Sequence, residues 1–527
     1  MPRWIFVTGG VLSGLGKGLV SASIAKLLES RGLDIVPLKC DGYLNVDPGT
    51  MNPVEHGEVF VLQDGGEVDM DFGHYERFLD VEGHASWNLT SGKIFKSVID
   101  RERQGDYLGE TVQMVPHVTN EIRDRFQEIA EEQDADVVIV EIGGTVGDIE
   151  NMTYLEAVRQ MREGDDPSVL VHLTLVPYLE TVGEQKTKPT QHSVKALREA
   201  GLSPDVIVGR SDERLAESTK EKIALFCDVD EEAVVSDPDI DNIYRLPLIM
   251  AEEDADTQIA ELLDIDGDRD IEQWAELVDN MEQPDDTVRI AVCGKYTDID
   301  DSYVSVEEAL RHAGAHRSTG VETELIDTEQ IQDLDDAEAV LAGFDGVVIP
   351  GGFGSRGIEG KVTVARYCRE EGLPLLGICL GMQMMIVEHA RNVCGLDGAN
   401  STEVDGETDH PVIDILPEQE DTEAKGGTMR LGASEAELEP GSQVSELYGS
   451  ETATERHRHR YEVNPAYHDR VEEGGLAISG TSDGGRLAEY IELPDHPFFI
   501  GTQAHPEFRS RLEAPNPLYQ GLIDAAR

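Results

Sequence analysis

Four short stretches of this 527-residue sequence hold residue types that could do chemistry. The first is "GGVLSGLGKG" (9–18), a near match to the phosphate-loop pattern G-x-x-x-x-G-K-[ST]. Gly16 and Lys17 are in register. Gly10 sits one residue early, and Gly18 fills the slot of the metal-binding hydroxyl. Backbone N–H groups of such a turn point inward and the next helix adds its positive end, which suits phosphates, with Lys17 among the β/γ-phosphates. Glycines also serve turns and close packing, so the loop alone is a weak signal. With no hydroxyl in that slot, magnesium needs oxygen ligands from elsewhere. Glu141 ends an apolar run, where a lone charge is costly without a partner. Asp71 lies in "VDMDFGHYERF". A solvated acid at 71 and a strand-end acid paired to Lys or Arg at 141 are the plainer readings of each.

The second stretch, "PLLGICLGMQ" (374–383), is a G-x-C-x-G elbow. Gly377 and Gly381 relieve crowding at a tight strand-to-helix turn, and the helix end favours the thiolate of Cys379. Burial as a small hydrophobe is the usual fate of cysteine, so the reading requires a base. The third stretch, "TQAHPEF" (502–508), supplies His505, with Glu507 two residues on. In an extended segment the two share one face, so Glu507 can orient His505. "PGGFG" (350–354) offers backbone N–H donors for an oxyanion. The fourth, "GEQKTKPTQHSVKALREAG" (183–201), puts Lys186 and Lys188 around Thr187 at a helix entry, with Pro189, Thr190 and Gln191 next. Two cations so close in an acidic chain suggest an anion site. Lys222 is a further basic position that a helix surface would equally explain.

These residues need a frame. Arg3–Thr8 reads as a strand entering the glycine loop. Val20, Ile24, Leu27 and Leu28 then fall on one helix face, with Gly32 as a stop. "LDIVPLK", "ADVVIVEIGG", "PSVLVHLTLVP" and "PDVIVG" read as further buried strands. Apolar runs alternating with helical patterns imply a parallel sheet covered on both faces. The pattern fades over 266–286 into an acidic linker holding a short helix around Trp274 (Ile271–Met281). It restarts with "VRIAVCGKY", "FDGVVIPGGFG", "LPLLGICLGMQMM" and "PFFIGTQAHPEF". The expected organisation is α/β in two domains, 1–265 and 287–527.

The chain carries 43 Lys+Arg against 106 Asp+Glu, a net of −63 spread along its length. Such a surface repels nucleic-acid backbones. It suits a salt-rich cytosol, where screening relieves the self-repulsion, so a halophilic source is expected. Acidic disorder is excluded by the recurring apolar elements. Six scattered cysteines without a C-x-x-C pair argue against a disulfide framework or structural zinc. No apolar run is long enough for a membrane span, and the amino terminus lacks signal-peptide features, so a cytoplasmic location is expected.

"PGGFG", "GICLGMQ" and "HPE", in that order, resemble the class I glutamine amidotransferases. The loop with its shifted glycine resembles those of the dethiobiotin-synthetase-like ligases. Nearly end to end the chain resembles the CTP synthase family, through "TGGVLSGLGKG", "NVDPGTM", "HGEVFV", "GHYERF", "EIGGTVGDIE", "KTKPTQHSV", "NSTEVDG", "GGTMRLG" and "ERHRHRYEVN". The resemblance implies a P-loop-like Rossmann-type amidoligase domain followed by a class I amidotransferase α/β domain. It implies that ATP phosphorylates the 4-oxygen of UTP and that ammonia displaces the phosphate to give CTP. Glutamine hydrolysis through a Cys379 thioester supplies the ammonia through an internal tunnel, with His505 shuttling protons.

By the same resemblance Ser13 contacts the UTP/CTP nucleotide. Gly14, Leu15, Gly16, Lys17, Gly18 and Leu19 hold ATP phosphates, and Asp71 and Glu141 bind Mg2+. Asp71 also counts among the ATP contacts. Asp148, Ile149 and Glu150 belong to the pocket for the inhibitor CTP. Lys186, Thr187, Lys188, Pro189, Thr190, Gln191 and Lys222 contact the pyrimidine nucleotide. Pro238, Asp239 and Ile240 line the adenine, although "DPDID" is less basic than the family's usual versions. Gly352, Leu380, Gly381, Met382, Gln383, Glu403 and Arg460 bind glutamine. GTP is an implied allosteric activator, and the implied assembly is a homotetramer. Gly42 departs from the family, where many members have proline. Two rivals stand beside this reading: a cobyrinate or cobyrate amidase-type ligase, which should lack "KTKPTQ" as a nucleotide segment, and a catalytically dead scaffold, against which the retained Cys379, His505, Glu507, Lys17, Asp71 and Glu141 argue.

Overall fold

Every apolar run singled out above forms a strand in the computed structural model, which describes residues 2–47, 58–181, 183–295, 303–352, 354–415 and 429–527. Phe353 and parts of "NVDPGTM", "HGEVFV" and "GGTMRLG" lie outside the described residues. The chain divides into two units. One is Met1–Pro48 with His74–Ala275, the other Gly49–Gly73 with Glu276–Arg527.

The first unit is built on a seven-stranded sheet. Its spatial order is Val234–Pro238, Val206–Ser211, Ser168–Leu175, Arg3–Gly9, Val137–Ile142, Ile35–Asp41, Asn88–Thr90. All neighbouring pairs run parallel. The central strands are buried along their length, as expected of a parallel sheet with both faces covered. Helix Lys17–Glu29 follows the first strand and buries Val20, Ile24, Leu27 and Leu28, the face read from their spacing. Helix Glu272–Glu282 forms where the linker helix was expected. Trp274 is buried and donates to Tyr244 O (2.8 Å), and Arg269 pairs with Asp256 (2.5 Å) just ahead of the helix. The start of the acidic stretch is therefore tied down, not a free tether.

The second unit holds a nine-stranded mixed sheet, in the order Thr319–Asp327, Asp286–Gly294, Gly346–Ile349, Leu375–Ile378, Phe499–Thr502, Leu487–Glu492, Ala477–Ser482, Arg430–Leu438, Thr452–His459. The first five strands are parallel and the remaining pairings antiparallel. A small hairpin, Phe60–Val61 with Glu67–Val68, also belongs to this unit. Buried Arg456 donates to Val61 O (3.0 Å) and to Phe508 O (3.3 Å), and Phe60 packs edge-on against Phe508. Ala433 N donates to Gln63 O (2.9 Å), and Arg458 pairs with Glu67 (2.8 Å). A division by sequence position alone leaves these residues with the first domain. Their hydrogen bonds put them in the second. Among the described residues no helix is long and apolar enough to cross a membrane.

Candidate functional site

The glycine loop joins strand Arg3–Gly9 to helix Lys17–Glu29. Gly14 (φ 76°) and Gly16 (φ 94°) take left-handed conformations that favour glycine. At Gly10 the demand is steric: a Cβ there would lie 1.6 Å from Ser193 Oγ. Ser193 in turn bonds His172 Nε2 (2.7 Å), whose Nδ1 bonds Thr8 (2.8 Å). Burial, with Lys17 nearby, pushes His172 down to about 3, so this ring is a neutral strut under the loop. The early glycine is thus fixed by the close approach of helix Lys188–Glu199.

Lys17 is the first residue of its helix and buried, its Nζ on Gly144 O (3.0 Å). Burial pulls its pKa below the ordinary lysine value against the opposing pull of Glu141. Glu141 is buried near the end of its strand and accepts a 2.5 Å hydrogen bond from Tyr75. Burial and Glu141 raise Tyr75 well above the usual phenol range, so it stays a donor. Asp71 opens the helix Asp71–Phe78 that carries Tyr75 one turn later. Among the described residues no group of three or more His, Cys, Asp and Glu side chains stands ready for a metal. Magnesium readily takes one or two carboxylates with phosphate and water oxygens, and the donor type at 71 and 141 fits it.

Asp71 itself falls in the stretch counted with the second unit; the other residues singled out in the first unit sit at the carboxyl ends of strands or in the segments that follow them. Ser13 and Gly14 are exposed, Leu15 and Gly18 buried, Leu19 half-buried. Asp148, Ile149 and Glu150 are exposed, and Gly42 lies against Glu150: a Cβ at 42 would be 2.8 Å from Glu150 Cβ. Thr187 and Thr190 are buried; Thr187 accepts from Gln191 and Thr190 donates to Leu175 O. Pro189 sits in the first turn of helix Lys188–Glu199. Lys186 pairs with Glu184 (2.9 Å) and Lys188 bonds Gln191 (2.8 Å). Lys222 is exposed on helix Glu217–Cys227, close enough to help lower Glu184. Pro238 ends its strand, Asp239 pairs with Arg210 (2.7 Å), and Ile240 is half-buried.

In the second unit Cys379 joins strand Leu375–Ile378 to helix Leu380–Asn392 at φ 52°, ψ −104°, a strained conformation for a non-glycine residue. The flanking glycines are obligatory. A Cβ at Gly377 would be 2.2 Å from Met385 Sδ, and one at Gly381 2.0 Å from Ile349 O. His505 Nδ1 bonds Glu507 Oε1 (2.7 Å). The pairing read from the sequence forms, but not along an extended strand. The strand ends at Thr502, and Pro506 starts a short 3-10 turn that swings Glu507 back to the ring. Burial alone would push the imidazolium down; Glu507 and Cys379 outweigh it and hold His505 up at about 10. At neutral pH the ring is charged and faces the thiol. Gly351 lies against both: its Cβ would be 2.7 Å from His505 Cε1 and 3.6 Å from Cys379 Cβ. All six cysteines are free and buried.

Gly352 lies near Leu380, and Gly354 N donates to Glu403 Oε1 (2.8 Å). Leu380, Gly381, Met382 and Gln383 form the buried first turn after the thiol. Arg460 is half-buried in the bend between strands Thr452–His459 and Tyr461–Val463. Two residues enter the site unannounced. Gln503 is buried with Nε2 3.8 Å from Cys379 Sγ, and its only sequence signal is its place two residues before "HPE". Lys361 is buried and donates to Pro350 O (3.0 Å) beneath the glycine turn. Burial, chiefly, and Lys295 push it down to about 7. A lysine in the helix pattern gave no hint of this.

Residues 3–265 match the family model described as CTP synthase N-terminus, and residues 298–525 the class-I glutamine amidotransferase model. The class is that of a ligase carrying its own glutaminase, which forms a C–N bond with glutamine as nitrogen donor. Over the whole chain, the CTP synthase of Archaeoglobus fulgidus is 53% identical across 526 residues, covering 99% of this chain and 98% of that one. That of Natronomonas pharaonis is 54% identical across 530 residues (99% and 95% covered), and that of Bacillus subtilis 50% across 529 (100% and 99%). The chain belongs to the CTP synthase family. These full-length matches do not favour a cobyrinate or cobyrate amidase.

Proposed function

We propose that this chain converts UTP to CTP with ATP and glutamine, and that the elbow thiol with its His505–Glu507 partner carries the nitrogen-donating half. The strained Cys379 facing a charged imidazole supports this most directly. The Cys379 thiolate attacks the glutamine side-chain carbonyl. The backbone N–H groups of Gly351 and Gly352 and of the helix start serve the developing oxyanion. His505 gives its proton to departing ammonia, then takes one from the water that cleaves the thioester, while Glu507 keeps the ring oriented. Gly352, Leu380–Gln383, Glu403 and Arg460 cradle the glutamine.

In the first unit, the 14–19 turn and Lys17 hold the phosphates of ATP, which phosphorylates the 4-oxygen of UTP. Ser13, Lys186–Gln191 and Lys222 hold the pyrimidine nucleotide, Pro238–Ile240 the adenine, and Asp148–Glu150 the inhibitor CTP. Asp71 and Glu141 would hold Mg2+, which when bound offsets phosphate charge. Ammonia handed on inside the protein escapes protonation in water. A GTP-activated homotetramer in a salt-rich cytoplasm completes the reading, supported by the family and by the −63 net charge.

The test is CTP formation from UTP and ATP in high potassium salt, with glutamine and then with ammonia. Cys379→Ala is expected to lose glutamine-dependent synthesis and keep the ammonia-dependent reaction. Loss of both, or no CTP from the native chain, would overturn the two-site reading.

A further inference from the structure

Gln503 and Gln383 lie side by side, both buried, between the nucleophile and a backbone carbonyl. Gln383 Nε2 is 2.9 Å from Tyr461 O and 3.2 Å from Gln503 Oε1. A carbonyl can only accept, so Gln383 must turn its NH2 toward Tyr461. Its second N–H then meets Gln503, which must answer with oxygen. That leaves the Gln503 NH2 at the other end, 3.8 Å from Cys379 Sγ. His459 Nδ1 lies 3.1 Å from the same Tyr461 O, and its Nε2 3.0 Å from His457 Nδ1. His459 therefore also donates to that carbonyl and accepts from His457. One backbone oxygen fixes the direction of every donor in the row. Gln503 cannot turn its oxygen to the sulfur without setting two amide oxygens, or two amide nitrogens, face to face.

We propose that Gln503 is a further catalytic residue of the glutaminase reaction, an N–H donor that holds the Cys379 sulfur as the anion, with Gln383 as the positioning residue that keeps its amide turned that way. This rests on the glutaminase reading above and adds a group to it. A donor to the charged form of a thiol lowers its pKa. The thiolate receives this N–H and the imidazolium before attack, and gives up the N–H when sulfur becomes neutral in the thioester. The same row commits both amide protons of Gln383 inside the protein. Only its Oε1 is left to meet a ligand, so it can accept from the substrate but not donate.

The test is the pH dependence of Cys379 alkylation by iodoacetamide, read by mass spectrometry of its peptide, in the full chain. Gln503→Met keeps the volume and removes the N–H. Its alkylation midpoint is expected to rise by about one pH unit or more. Its kcat for glutamine hydrolysis should fall about 10- to 100-fold, the scale of a hydrogen bond to a charged group. KM should stay within about threefold of the native value. Gln383→Met, which leaves the Gln503 amide able to turn over, should give an intermediate midpoint. An unchanged midpoint in Gln503→Met would overturn the donor role, and one in Gln383→Met the positioning role. Circular dichroism and a native melting temperature report that each variant is folded; should Gln503→Met fail this, Gln383→Met carries the test. A native chain that hydrolyses no glutamine would instead sink the underlying reading.

Discussion

Gly351→Ala isolates the base from the nucleophile by steric means alone. The φ of Gly351 lies outside the left-handed region, so alanine brings no backbone strain. Its methyl would sit 2.7 Å from His505 Cε1. Carbon atoms settle at about 3.5 Å or more, so the ring must retreat by about 0.8 Å. It has few directions to go: Nδ1 is held by Glu507, and the ring stacks on Phe508 at 5.2 Å with a 17° tilt. On the other side the methyl would be 3.6 Å from Cys379 Cβ, an ordinary contact. The base moves and the nucleophile stays. A misplacement near 1 Å costs about 100-fold in rate, so glutamine-dependent CTP formation should fall by about that factor while the ammonia-dependent rate holds. The assay compares the two nitrogen donors at saturating ATP and UTP. A variant within about threefold of the native rate with glutamine would refute the reasoning, as would equal losses with both donors.

The His505–Glu507 pair also makes stability depend on pH. With the folded ring held at about 10, above its ordinary 6.5, its contribution is full below about pH 6.5 and is lost as pH rises through 10. Melting temperatures should decline across that window and decline less in Glu507→Gln; parallel profiles would contradict the assignment. Gly10→Ala drives a methyl into Ser193, held by His172. It should cut CTP formation from either donor about 100-fold while glutamine hydrolysis persists. Near-native synthesis from ammonia would show that the helix can yield.

Much of the frame was legible because buried parallel strands must be continuously apolar: "VVIVEI" can hardly be anything else. The thiol elbow was legible because only small residues at 377 and 381 allow that turn. Gln503 was not, since its role depends on Gln383 and Tyr461, residues far apart in sequence whose hydrogen bonds no local pattern records. Glu141 was legible as a costly buried acid, but its Tyr75 partner was not. The early glycine at 10 was visible, yet its cause, a serine 183 positions later at 193, could come only from tertiary packing. The Phe60–Val68 hairpin was not legible for the same reason. Nothing in four strand residues tells which unit will hold them.

That hairpin sets an order of assembly. Its arginine clasp joins residues 395 positions apart. A ribosome adding about 5–20 residues per second delivers Arg456 roughly 20–80 s after Val61. Until then the two strands of two residues each have only one another, a hairpin too short to hold alone. Phe508, which Arg456 also grips, emerges later still, three residues after the base. The loop that shapes the end of the glutaminase is thus written between two parts of the ligase half, and the clasp closes only after the rest of that half has been made. A fragment cut at 287 would begin life with Arg456 facing an absent oxygen.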